Sequence, residues 1–145
     1  MKNKSTKGSG NRHDKHTKQI SVSTDKETPI WCFNNVDNDG QFRVSRETIN
    51  ADLMMDKLLS LSKMTWAGIK SAKHDDNKSK NHDLSYDGLS QSAKERIAVK
   101  GLEDEADSIF SIAFTNKIRL IGIRKGRLFH IVWYDANHKF CPSKK

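Results

Sequence analysis

The chain has 145 residues, with 26 Lys and Arg against 18 Asp and Glu, a formal net charge of +8 and a mean hydropathy of −0.78. That length suits one domain, and the charge favours a polyanionic partner: RNA, DNA, an acidic protein or an anionic surface. No apolar run can cross a membrane, no secretory leader opens the chain, and Cys32 and Cys141 form no Cys-x-x-Cys pair, so the expectation is a cytoplasmic protein with reduced thiols and no membrane partner.

Residues 1–28 carry seven Lys and Arg among Ser, Thr, Gly and Asn, with Ile20 and Val22 as the only sizeable apolar residues after Met1. Such a segment cannot bury enough surface to offset the entropy of ordering, and it reads as a disordered basic tail. Residues 29–145 read as a single α+β domain. Residues 29–36 form an apolar run around Ile30, Trp31, Cys32 and Phe33, which predicts a strand either buried on both faces or placed in the interior of the sheet. The Asp37-Asn38-Asp39-Gly40 turn signal then predicts a hairpin, with residues 41–44 as the return strand and Phe42 and Val44 on one face. The same turn resembles the start of a calcium loop but lacks the bidentate Glu that such a loop needs.

Leu53, Met54, Leu58 and Leu61 recur at helical spacing, which predicts a helix over 51–63 capped by Asn50 or Ser45. Thr65 predicts the cap of a short helix over 66–71. Residues 72–89 are a polar stretch, longer than most connections and therefore a mobile or substrate-shaped loop. His74 and His82 in it could face a ligand. Ser90 as cap and Gly101 as stop bracket another helix, with Ala93 and Ile97 inward. An acidic linker follows to Asp107.

Residues 108–139 hold the strongest pattern. Three runs, 108–114, 117–123 and 127–134, alternate apolar and polar residues and are joined by very short connections at 115–116 and 124–126. This predicts a three-strand antiparallel meander. Phe129, Ile131 and Trp133 fall on one face, which should meet two or three helices. Leu128, His130, Val132 and Tyr134 fall on the other. Arg119, Arg124, Lys125 and Arg127 cluster around the second hairpin, with Lys139 near the end of the chain. A basic patch beside aromatic and imidazole groups suits a phosphate backbone. His130, Tyr134 and His138 could supply the proton acceptor and donor of RNA cleavage by 2′-hydroxyl attack, with arginine charge on the phosphate and no cofactor or metal. His130 reads equally well as a plain strand residue. Asp135, three residues before His138, reads as the cap of a turn rather than an acid catalyst.

The order of a strand, helices and an antiparallel meander is similar to the RelE/ParE-type toxins of bacterial toxin–antitoxin pairs. Segment 117–139, an arginine-rich strand before a hydrophobic one, looks like the central hairpin of those proteins. Trp133, Asp135 and His138 also match an aromatic-x-Asp-x-x-His ending that resembles a group of bacterial and phage proteins. The resemblance implies an RNA-directed, metal-independent endoribonuclease acting on RNA or the ribosome, with an acidic antitoxin-like protein as partner. The alternative is a non-enzymatic module that binds nucleic acid or protein.

Overall fold

The computed structural model describes residues 24–143. The tail expected over 1–28 lies outside the described residues as far as residue 23. Its last residues belong to the folded part. Asp25 forms ion pairs with Lys70 and Arg124, and the backbone oxygens of Asp25 and Glu27 accept from Ala67 and Trp66.

Three α-helices start where a side chain can take up an orphan N–H group. The side-chain oxygens of Asn50, Thr65 and Ser90 accept from the third residue onward, opening α1 (Ala51–Leu61), α2 (Trp66–Ser71) and α3 (Gln91–Val99). The meander is β3 (Ile109–Ala113), β4 (Arg119–Lys125) and β5 (Leu128–Asp135), antiparallel throughout. Within the polar stretch, β2 (His82–Asp83) pairs with β3. The first strand, β1 (Ile30–Cys32), pairs with β5 in parallel, giving a mixed five-stranded sheet in the order β1-β5-β4-β3-β2.

Three expectations are therefore corrected. The sheet is mixed, not purely antiparallel. β1 is an edge strand rather than an interior one, and both Ile30 and Phe33 are exposed. Residues 41–44 form no return strand. The Asp-Gly signal does make a turn, with Gly40 at φ +85, but no hairpin grows from it because Asp37 is drawn inward. Its carboxylate is 2% exposed, accepts from Trp133 Nε1 at 2.9 Å and takes a two-point bond from Arg96 at 3.0 and 2.9 Å. The segment instead runs along the outer side of β5. There Asp37 N donates to Val132 O and Tyr134 N donates to Phe42 O.

The sheet is covered on both faces, which explains why its strands are so uniformly apolar. Met54, Trp66 and Ile69 of α1 and α2 meet Phe110, Leu120, Phe129 and Ile131. On the opposite face Ala93 and Ile97 of α3, with Phe42 and Phe140, meet Ile109, Ile121, Ile123 and Val132. The face that carries His130 is therefore also covered over much of its area.

A bulge sets the phase of β5. Ile121 pairs with Trp133 and Gly122 with Ile131, so Val132 is the extra residue. Phe129, Ile131 and Tyr134 share the α1–α2 face, while Val132 and Trp133 both join the α3 face. Strict alternation puts Tyr134 beside His130 and Trp133 beside Phe129. The bulge reverses both placements.

Gly122 lies opposite the bulge, and a Cβ there would sit 2.1 Å from the His130 carbonyl oxygen. Backbone cannot yield as a flexible side chain can. Gly122→Ala is expected to cost about 3 kcal/mol, read as a lower urea midpoint, and an unchanged midpoint would show that the His130 carbonyl can move aside. A second expectation concerns Asp37. Burial alone would raise its pKa, but the bonds from Arg96 and Trp133, the Asp39 N–H and the Arg96 charge hold it below the ordinary 3.8. Its contribution to stability is therefore present above that value and lost as the pH falls through the lower folded value. Arg96→Met leaves the buried carboxylate without its cation and should cost about 3 kcal/mol at neutral pH, a difference that narrows in denaturation series run towards acid.

Candidate functional site

On the α3 face, at the β3–β4 turn end of the sheet, is an open groove of about 790 Å3. Its base is sheet: Ser111 of β3, then Arg119 and Ile121 of β4. One wall is the polar stretch, including His74, Lys78, Lys80 and His82. The other is the turn after β5, which brings His138, together with the segment around Cys141. Three of the four described histidines line this one groove.

Asp135 builds the His138 side. It is 2% exposed and, past the bulge, sits in register with Arg119 across the ladder. Its Oδ1 accepts from the N–H of Asn137 and Lys139, and its Oδ2 from the N–H of Phe140 at 2.8 Å. The turn is wound around this carboxylate, and His138 is held at its crest with φ +57. That conformation is uncommon for a residue with a side chain and persists only where the surroundings impose it. Asp135 thus acts as the cap of the turn.

Arg119 is only 9% exposed, and its Nη1 donates to Thr115 O at 2.7 Å and Ile118 O at 3.2 Å. Among the described residues no carboxylate lies in ion-pair contact with it, and its other guanidinium nitrogens have no protein acceptor. Burial depresses its pKa, and the charge of Asp135 partly offsets this. It remains a cation, since guanidinium does not deprotonate in proteins. His138 lies below the ordinary imidazole value of 6.5. Desolvation is the first cause, followed by the positive charge of Arg119; Asp135 opposes them, and His74 and His82 add a further lowering. His82 Nδ1 is 3.0 Å from Asp83 O. A carbonyl can only accept, so Nδ1 is the donor in this contact.

The other expected site residues lie elsewhere. Tyr134 is buried on the α1–α2 face, where its hydroxyl accepts from Asn50 N at 3.2 Å next to the start of α1. With Lys139 it borders a smaller cavity of about 200 Å3 on the other side of the Asp135 turn. His130 is near Asn34 by the edge strand, at 3.4 Å. The basic cluster is dispersed and mostly paired. Arg124 lies 4.4 Å from the Trp66 ring and pairs with Asp25; Lys125 pairs with Glu105, and Arg127 with Glu27. Of that cluster only Arg119 lines the groove.

The net charge is distributed in the same way. Residues 24–143 hold 18 of the 26 basic and 17 of the 18 acidic residues, so nearly all of the excess lies in 1–23 and 144–145. Sequence reasoning singled out His74 and His82 only through the length of their loop, and passed over Ser111, Lys78 and Lys80. The one signal for Ser111 is a polar residue in an otherwise apolar strand. Cys32 and Cys141 form no disulfide, and Cys141 Sγ donates to Gly88 O at 3.4 Å. Among the described residues no three His, Cys, Asp or Glu side chains are grouped to hold a metal ion, and no helix is long and apolar enough to cross a membrane.

No family model, curated protein or solved structure matches the chain.

The electrostatics of His138 can be read directly. In a proton NMR titration its imidazole should turn over below pH 6.5, and Arg119→Gln should move the midpoint upward by removing a neighbouring cation. A midpoint that stays put in the variant would show that the two groups are not coupled. The sign for stability follows: the folded state resists protonating His138, so the fold loses stability as the pH falls below 6.5 and gains nothing from this group above it.

Proposed function

We propose that the groove is a phosphodiester-cleaving site directed at RNA and that the protein is a toxin-like endoribonuclease. The observation that carries this reading is that His74, His82 and His138 line one groove with the buried Arg119, which has no carboxylate in ion-pair contact. Cleavage by 2′-hydroxyl attack needs a base, an acid and a fixed positive charge. His138, kept neutral by burial and Arg119, accepts the 2′-hydroxyl proton. His82, starting doubly protonated with its Nδ1–H on the Asp83 carbonyl, gives its Nε2 proton to the 5′-oxygen as the P–O5′ bond breaks, leaving a 2′,3′-cyclic phosphate and a neutral ring. Arg119 holds the phosphate oxygens as negative charge builds. None of these steps calls on a metal or an organic cofactor. The reading keeps RNA or the ribosome as target and an acidic antitoxin-like protein as natural inhibitor. It replaces His130 and Tyr134 with His82 and His74 beside His138.

A non-enzymatic nucleic-acid-binding module is the second reading. It is favoured by the near neutrality of residues 24–143, with the basic excess in the terminal segments.

Purified protein should cleave single-stranded RNA in the presence of EDTA, leaving cyclic phosphate ends, and should spare the same strand with a 2′-deoxy nucleotide at the cut. His138→Ala should slow cleavage about 10²–10⁴-fold with an unchanged circular dichroism spectrum. RNA left intact by the wild-type protein, with growth unaffected on expression, would sink the enzymatic reading and leave the binding one.

A further inference from the structure

The mechanism above leaves one built feature of the groove unused. Residues 73–79 form a small hairpin within the polar stretch, closed by an antiparallel bridge between Lys73 and Ser79. His74 N donates to Lys78 O at 2.8 Å, Asn77 N donates to His74 O, and Asn77 turns the tip at φ +70. The hairpin is rooted in the core rather than adrift on the surface. Asn81, 4% exposed, donates from Nδ2 to Ile69 O at 2.8 Å and accepts at Oδ1 from Ala113 N at 2.9 Å. One buried amide thereby clamps the base of the hairpin to both α2 and β3.

Lys78 on this hairpin and Lys80 at its foot line the wall of the groove, and among the described residues neither is ion-paired. They lie two residues apart in the sequence. Asp75 and Asp76 also border the groove, but Asp76 is partly occupied in accepting from Lys78 N at 3.0 Å. No Phe, Tyr or Trp lines the groove, so it has no platform on which a base would stack with sequence-tolerant or selective strength.

We propose that the hairpin and its foot, residues 73–80, form a recognition arm that sets the substrate class: single-stranded RNA, gripped through phosphates flanking the cleaved bond by Lys78 and Lys80, with little preference for the bases. The inference rests on the RNA-directed reading of the groove. It adds that one phosphate is not enough, so a dinucleotide should be a poor substrate.

The test uses the full chain and a fluorescent 2′-deoxy oligonucleotide of about eight residues, which cannot be cleaved, followed by anisotropy across a salt series. Wild type should bind adenine, thymine and mixed sequences alike and should bind a blunt duplex less well. Lys78→Ala/Lys80→Ala should weaken binding about tenfold on every sequence and reduce the salt slope by about 1.4. Both lysines are exposed, so the thermal midpoint should not move. An unchanged slope in the double variant, or a duplex bound as tightly as the single strand, overturns the proposal. If binding depends on the arm but RNA is never cut, the cleavage reading fails and the arm stands. If RNA is cut while binding and dinucleotide turnover ignore the lysines, the arm fails alone.

Discussion

Val132 and Trp133 share one place in the ladder, opposite the step from Ile121 to Gly122, and this extra residue governs what lies on either side of it. Side chains alternate with a period of two along a strand, so a one-residue insertion sends everything after it to the other face. Before the bulge, odd-numbered residues of β5 face α1 and α2. After it, the even-numbered Tyr134 does, and Asp135 emerges on the α3 face. Had the ladder run unbroken, Asp135 would project among Phe129 and Ile131, and the turn it organises could not stand beside Arg119. The groove therefore depends on an irregularity in the sheet. Gly122 permits that irregularity, because only a residue without Cβ lets the His130 carbonyl approach so closely.

The bulge also exposes backbone and indole groups that need partners, and Asp37 supplies them. Its N–H donates to the Val132 carbonyl, and its carboxylate accepts from the Trp133 indole while holding Arg96 of α3. A buried carboxylate is stable only when its oxygens are fully engaged. Here the engagement links β5, α3 and the segment after β1. That link accounts for the failure of the Asp-Gly turn to grow a hairpin: the residue that would open it is committed to the interior. The edge strand then pairs in parallel with β5 because the chain leaves it along the same side of that strand.

Much of the architecture was legible because it is local. Asn50, Thr65 and Ser90 announce the helix starts, and alternation marks the meander to within two residues at most ends. The failures are non-local. Nothing in residues 127–134 distinguishes a regular strand from one with an extra residue, so Tyr134 was assigned to the face of His130. Whether β1 pairs in parallel or antiparallel depends on where Asp37 finds its partners, far away in sequence. The site divides in the same way. His138 and Asp135 were readable as a turn, and Arg119 as a cation on a strand. His74 and His82 reach the groove only because Asn81 and β2 fasten the polar stretch to β3, a tertiary fact with no periodic signature.

The charges follow a related logic. A cluster of cations in sequence suggests a cluster in space, but strand alternation sends Arg119 and Arg124 to opposite faces. Arg124 then lies half-buried over Trp66 beside Asp25, and Lys125 and Arg127 find carboxylates at the other end of the strand. Each pairing reduces the positive potential that the sequence seemed to promise. Arg119 escapes this because its cross-strand partner, Asp135, has turned both carboxylate oxygens to the backbone of its own turn. The same three hydrogen bonds that hold His138 at the crest thus leave the guanidinium beside it without a close counter-ion. Arg119 is thus left with the carbonyls of Thr115 and Ile118 as its hydrogen-bond acceptors, and it feels Asp135 only as a neighbouring charge across the ladder.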